Sequence, residues 1–233
     1  MKDVYVMSFM GGTGGTFLAG ILYLWLTQKQ HPLIYSQFGD AHEGEIYREN
    51  WSRTDSVAYD TNQILTVVSP KYKITPFVVR QHFVLDPSIV PKNLQNYLQI
   101  KIVVHPKDQE LIGAFRFFKW VLRQYNFMDT SVWDNIKERE TNPNYLEGDE
   151  LRYYINKLSL NCIPIGQDWT THINDENNMS VTFHDIMFNK NKTLNILSER
   201  IAIPITPVIS QSYDNYIYAN QNLIRYKCPW IRF

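Results

Sequence analysis

The sequence predicts an α/β protein with a three-layer parallel sheet, opened by a strand–loop–helix unit and closed by a helical C-terminal part. Three observations predict it. An apolar run from Val4 to Phe9 enters the glycine-rich stretch GGTGGT and leaves it as a second apolar run with helical spacing. Further short apolar runs alternate with amphipathic stretches through the first half. The second half carries mostly helical periodicity. Strands alternating with helices point to parallel pairing, because each crossover needs a helix to return the chain.

The elements follow in order. Val4 to Phe9 (VYVMSF) reads as a buried strand and residues 10–15 as a loop. Thr16 is a capping residue for the helix that runs on to about Lys29, its hydroxyl able to accept an orphan amide. Leu18, Ile21, Leu22 and Trp25 form that helix's core stripe. HPLIY (31–35), ILTVV (64–68), FVVRQHFVL (77–85) and KIVVH (101–105) read as strands. Residues 39–62 are polar and weakly periodic, and are expected to be a loop-rich insertion in a single domain spanning 1–233. Gln109 to Tyr125 predicts a helix with Leu111, Ile112, Phe115, Phe118 and Leu122 facing the core. SVWDNIKE, DELRYYINKLSL, TLNILSERI and the stretch 209–224 are the later helices, with polar connectors at 139–149 and 170–180.

The bulk numbers narrow the class. The chain has 233 residues, 44% of them hydrophobic, enough for one full core. Lys plus Arg equals Asp plus Glu at 23 each, so no broad basic footprint for nucleic acid is present. No charged residue lies between Asp3 and Lys29, but the glycines interrupt that stretch, and the apolar segment after them is too short to cross a bilayer. The two cysteines, Cys162 and Cys228, make no disulfide framework, which favours a cytoplasmic setting. His42, Glu43 and Glu45 lack partners at ligand spacing, so no metal is expected.

A strand, a glycine turn and a helix N-terminus together make an anion site, where backbone N–H groups and the helix dipole face the ligand. Gly12, Thr13, Gly14, Gly15, Thr16 and Phe17 are the residues so placed. The Walker pattern fails, since Phe17 follows Thr16 and the loop has no lysine. The dinucleotide pattern fits only loosely, with no acidic ribose ligand on a second strand.

Four segments in order resemble the sulfotransferases that use 3′-phosphoadenosine 5′-phosphosulfate (PAPS). SFMGGTGGTFLAGILYLW resembles their loop for the 5′-phosphosulfate. FVVRQHFVLDPSIVPKNL resembles the strand that carries the catalytic histidine. KIVVHPKDQELIGAFRFFKW resembles the 3′-phosphate segment, and VTFHDIMFNKNKTLNILSERIAIPIT the late segment and its helix. The resemblance implies a P-loop-like fold and PAPS as co-substrate, without a metal. A small-molecule or carbohydrate acceptor is expected, and, from the charge balance and the short apolar segment, no nucleic-acid or membrane partner. The resemblance makes His82 the base that takes the acceptor's proton.

Three family groups are missing. The loop lysine falls on Thr13, the arginine before the proline on Val104, and the helix serine on Ile112. A charge-assisted bond is worth about 1.5–3 kcal/mol, so other cations must compensate or the chemistry is weakened or lost. Arg80, two residues from His82 on the same strand face by alternation, is one candidate. His105 and Lys107 at a strand end are others. Arg116 leads the stripe Arg116–Lys119–Arg123, and is placed to reach a second phosphate. Two rival readings stay open: a module of the same fold that binds without chemistry, and an atypical Mg²⁺-dependent small-molecule kinase.

Overall fold

The computed structural model describes residues 2, 4–10, 12–27, 51–53, 77–81, 84, 96–118, 146–160 and 168–232. Five strands form one sheet: β1 (Val4–Ser8), β2 (Trp51–Arg53), β3 (Phe77–Gln81), β4 (Tyr97–Val103) and β5 (Asn178–Thr182). Their order is β2-β3-β1-β4-β5, and every neighbouring pair is parallel. Among the described residues the helices are α1 (Gly15–Thr27), α2 (Gln109–Arg116), α3 (Gly148–Leu160), α4 (Phe183–Phe188), α5 (Lys190–Ile201) and α6 (Pro207–Lys227). A single 3₁₀ turn, Pro106–Asp108, joins β4 to α2.

Burial explains the central strands. Tyr5, Met7, Leu98 and Ile100 are all at most 1% exposed, as a strand covered on both faces requires. From β1 the chain first builds outward to β2 and β3, then crosses to β4 and β5 on the other side. Right-handed crossovers running in opposite directions put α1 on one face and the α2–α3 pair on the other, so the sheet is the middle of three layers. The α/β class read from the sequence is the class observed.

The expected core stripes hold. Leu18, Ile21, Leu22 and Trp25 are fully buried, Leu111, Ile112 and Phe115 are buried on α2, and Phe118 is buried just beyond its end. α6 closes the core against α1: the Phe17 ring stacks on Tyr216 at 3.8 Å and meets Tyr213 edge-on at 5.0 Å. Tyr213 in turn donates to the Ile186 carbonyl at 2.7 Å, tying α6 to α4. Among the described residues no helix is long and apolar enough to cross a membrane.

Several boundaries differ from the expectation. Trp51–Arg53, inside the expected loop-rich insertion, is an edge strand paired with β3. Asn178–Thr182, partly inside an expected connector, is the opposite edge. Both are short and polar, and backbone pairing with a neighbour defines them more than any apolar alternation. The strand expected at 101–105 runs instead over Tyr97–Val103. Gln99 hid its start, because a polar residue breaks the apolar run; its amide nitrogen donates to Ser8 Oγ at 2.9 Å inside the sheet. α1 begins at Gly15, so Thr16 stands in its first turn and is not its cap. The strands expected at 31–35 and 64–68 and the helix at SVWDNIKE lie outside the described residues, as do residues 119–125 of the expected long helix.

Candidate anion site at the end of the central strand

β1, the middle strand, delivers its chain into the loop 9–14 and then into α1. In open parallel sheets the crevice beyond the strands' C-terminal ends is where ligands collect. The loop's shape is dictated by two left-handed residues, Gly12 at φ +86° and Gly14 at φ +74°. A side chain at either would be strained. Thr13 between them is fully buried, and both its donors are committed to one acceptor. Its N–H reaches the Met10 carbonyl at 3.2 Å and its hydroxyl the same oxygen at 2.6 Å. Thr13 therefore braces the turn, and it presents no donor to a ligand.

Close approach explains two glycines further. A Cβ on Gly12 would collide with the Arg116 side chain, and one on Gly15 with the Phe9 ring. Gly14 is the more open position, where Ile186 Cγ2 and the Tyr216 hydroxyl would lie 3.9 and 4.0 Å from a Cβ. The first helical bond of α1 runs from the Leu18 N–H to the Gly14 carbonyl at 2.9 Å. The amides of Gly15, Thr16 and Phe17 lie in the first turn, ahead of that bond. Glycine content thus has two causes here: a turn that needs positive φ, and neighbours that press on the loop.

The other expected residues divide. Arg116, at the end of α2, is brought to the loop, its stem lying across Gly12 while Ile112 of the same helix touches the same glycine. His105 and Lys107 are exposed just beyond the C-terminal end of β4. The His105 ring is already in use, its Nδ1 accepting from the Lys107 N–H at 3.2 Å as the cap of the 3₁₀ turn. Arg80 pairs in register with Met7, one step before the end of β1. His82 lies outside the described residues.

Two features escaped the sequence reading. Lys101 is 2% exposed, yet its Nζ donates to the Thr171 carbonyl at 2.8 Å. Burial holds its pKa below the usual lysine value, against the opposing pull of Asp168. Asp108 is 5% exposed and its Oδ1 lies 3.3 Å from Nδ1 of His184 on α4. The signal for that pair was present in the quoted PKD and FHD triplets, but only the adjacency of β4 and β5 brings them together.

These features define a parallel α/β protein with a glycine loop at the end of its central strand. No family model matches the chain, and no curated protein does. Among solved structures it is similar to a retinol dehydratase crystallised with androsterone and the inactive cofactor PAP. That match has a TM-score of 0.43 and 12% identity, and covers 94% of this chain. The chain spans 65% of that protein's length.

Proposed function

We propose that the chain binds PAPS at the glycine loop and transfers its sulfuryl group to a hydroxyl or amine of a small-molecule or carbohydrate acceptor. The observation that carries this reading is the loop itself: two left-handed glycines at the end of the central strand, first-turn amides beyond them, and Arg116 laid across Gly12. Backbone donors and a helix dipole suit a phosphosulfate, and Arg116 supplies the cation that Thr13 does not. The four segments that resemble the PAPS-dependent enzymes fall on β1–α1, β3 with the residues after it, β4–α2 and β5–α5.

In the transfer, the acceptor oxygen or nitrogen attacks sulfur in line, and the bond from sulfur to the phosphate oxygen breaks. The nucleotide leaves with that electron pair, and a base collects the acceptor's proton. His82 is the base the resemblance implies. Calorimetry with adenosine 3′,5′-bisphosphate tests the binding half, and absence of heat at millimolar nucleotide overturns it.

One observation favours a second reading. Thr13 is buried and bonded only to Met10, so the loop carries no charge of its own. A module that binds the nucleotide without turnover fits that fact. Radiolabelled PAPS incubated with a panel of hydroxyl and amine acceptors separates the two, since a binding module yields no labelled product.

A further inference from the structure

We propose that Asp108 and His184 form an acid–base dyad, with His184, in place of the His82 that the resemblance implies, exchanging a proton with the acceptor and Asp108 as its positioning residue. The inference rests on the transferase reading. The two residues come from the segments that follow β4 and β5, and the glycine loop follows β1. These three strands are neighbours in the sheet, so loop, carboxylate and imidazole all emerge at the same C-terminal edge. α2 and α4, which adjoin and carry the pair, also flank the loop: a Cβ on Gly12 would lie 3.4 Å from Ile112 Cγ2, and one on Gly14 3.9 Å from Ile186 Cγ2.

The bonding of Asp108 is unlike that of a structural carboxylate. It stands at the N-cap of α2, where an aspartate ordinarily accepts from the helix's first amides. Its side chain makes no such bond. It turns instead to the imidazole, Oδ1 to Nδ1 at 3.3 Å, and its buried Oδ2 has no partner. Asp185, on the same short helix as His184, shows the contrast. Its Oδ1 accepts from Asn189 at 2.9 Å, and its Oδ2 from Thr182 and Lys192, both at 2.8 Å. A buried carboxylate kept for structure is satisfied on both oxygens. Asp108 leaves its charge directed at one ring.

The ring is correspondingly placed. Its side chain is 40% exposed while that of Asp108 is 6% exposed. A carboxylate on Nδ1 fixes the tautomer that carries the proton there, leaving Nε2 as a proton acceptor at the exposed end. In the step, Nε2 takes the proton from the acceptor hydroxyl as its oxygen bonds to sulfur. The sulfur–oxygen bond to the nucleotide breaks, its electron pair leaves on the phosphate, and Asp108 balances the imidazolium.

Two measurements on the full chain test this. Long-range ¹H–¹⁵N spectra of the histidine rings should show His184 protonated at Nδ1, and Asp108→Asn should change that tautomer. A ring protonated at Nε2 and indifferent to Asp108→Asn overturns the dyad without any reference to activity. In sulfuryl transfer, His184→Gln should lower kcat by about 10²–10⁴-fold, the usual worth of such a base. The KM for PAPS should hold within a few-fold, and Asp108→Asn should show the same split more mildly. A His184→Gln variant that turns over like wild type, while His82→Ala does not, overturns the role. If wild type binds adenosine 3′,5′-bisphosphate but His184→Gln changes nothing, only the dyad falls. If wild type neither binds it nor transfers sulfate, the transferase reading falls and takes the proton-transfer step with it.

Discussion

The Arg116 side chain fills the space that a side chain on Gly12 would need. One contact therefore joins the last turn of α2 to the centre of the glycine loop, and it links the loop's shape to its charge.

Gly12→Ala meets two penalties and Gly14→Ala one. Both residues have positive φ, which costs an alanine about 1–2 kcal/mol. At Gly12 the new methyl also strikes Arg116, whereas at Gly14 the nearest atoms are 3.9 and 4.0 Å away. Urea denaturation should place Gly14→Ala about 1 kcal/mol below wild type and Gly12→Ala lower still. Equal losses in the two variants would mean that Arg116 moves aside without cost.

Arg116→Ala should weaken adenosine 3′,5′-bisphosphate binding by about 10- to 100-fold, the value of a charge-assisted bond. Because the stem packs on Gly12, Arg116→Lys keeps part of the packing and a charge while losing the planar fork. Calorimetry should rank affinity wild type, lysine, alanine. An alanine variant with wild-type affinity would remove Arg116 from the site.

What the sequence disclosed depended on range. α1 and α2 were readable because Leu18, Ile21, Leu22 and Trp25, or Leu111, Ile112 and Phe115, repeat within a few residues of one another. The loop was readable as an anion site in outline, with its glycines credited to a turn and a ligand. Phe9 pressing on Gly15, and Arg116 on Gly12, add a packing cause that only the fold reveals. β2 and β5 were hidden because short polar edges carry little alternation. The Asp108–His184 pair joins residues 76 positions apart, and no local pattern reports such a meeting.

Asp185 governs part of the acid limb of stability. Burial alone would raise its pKa, but bonds from Lys192, Thr182 and Asn189 outweigh burial and hold it below the ordinary carboxylate value. A carboxyl whose folded pKa is depressed contributes stability above its unfolded pKa, near 4. That contribution disappears as pH falls through the folded value. Thermal melts between about pH 5 and pH 2 should therefore show a steep loss in wild type and a shallower one in Asp185→Asn. Parallel curves would mean that the Thr182–Asp185–Lys192 cluster is already broken in the folded protein.

Cys228 should be inert in the native state. It is fully buried among the core residues that close α6, and carries no disulfide. Burial first, and the charge of Glu110 second, push its thiol up to about 12. The thiolate is the reactive species, so at pH 8 almost none is present. Its reaction with a thiol-specific disulfide reagent should wait for unfolding, and the rate should follow the fraction unfolded as urea rises. The measurement is best made in a Cys162→Ser background, which leaves one thiol in the chain. Rapid stoichiometric labelling of Cys228 in native buffer would show that the C-terminal end of α6 opens far more readily than its burial allows.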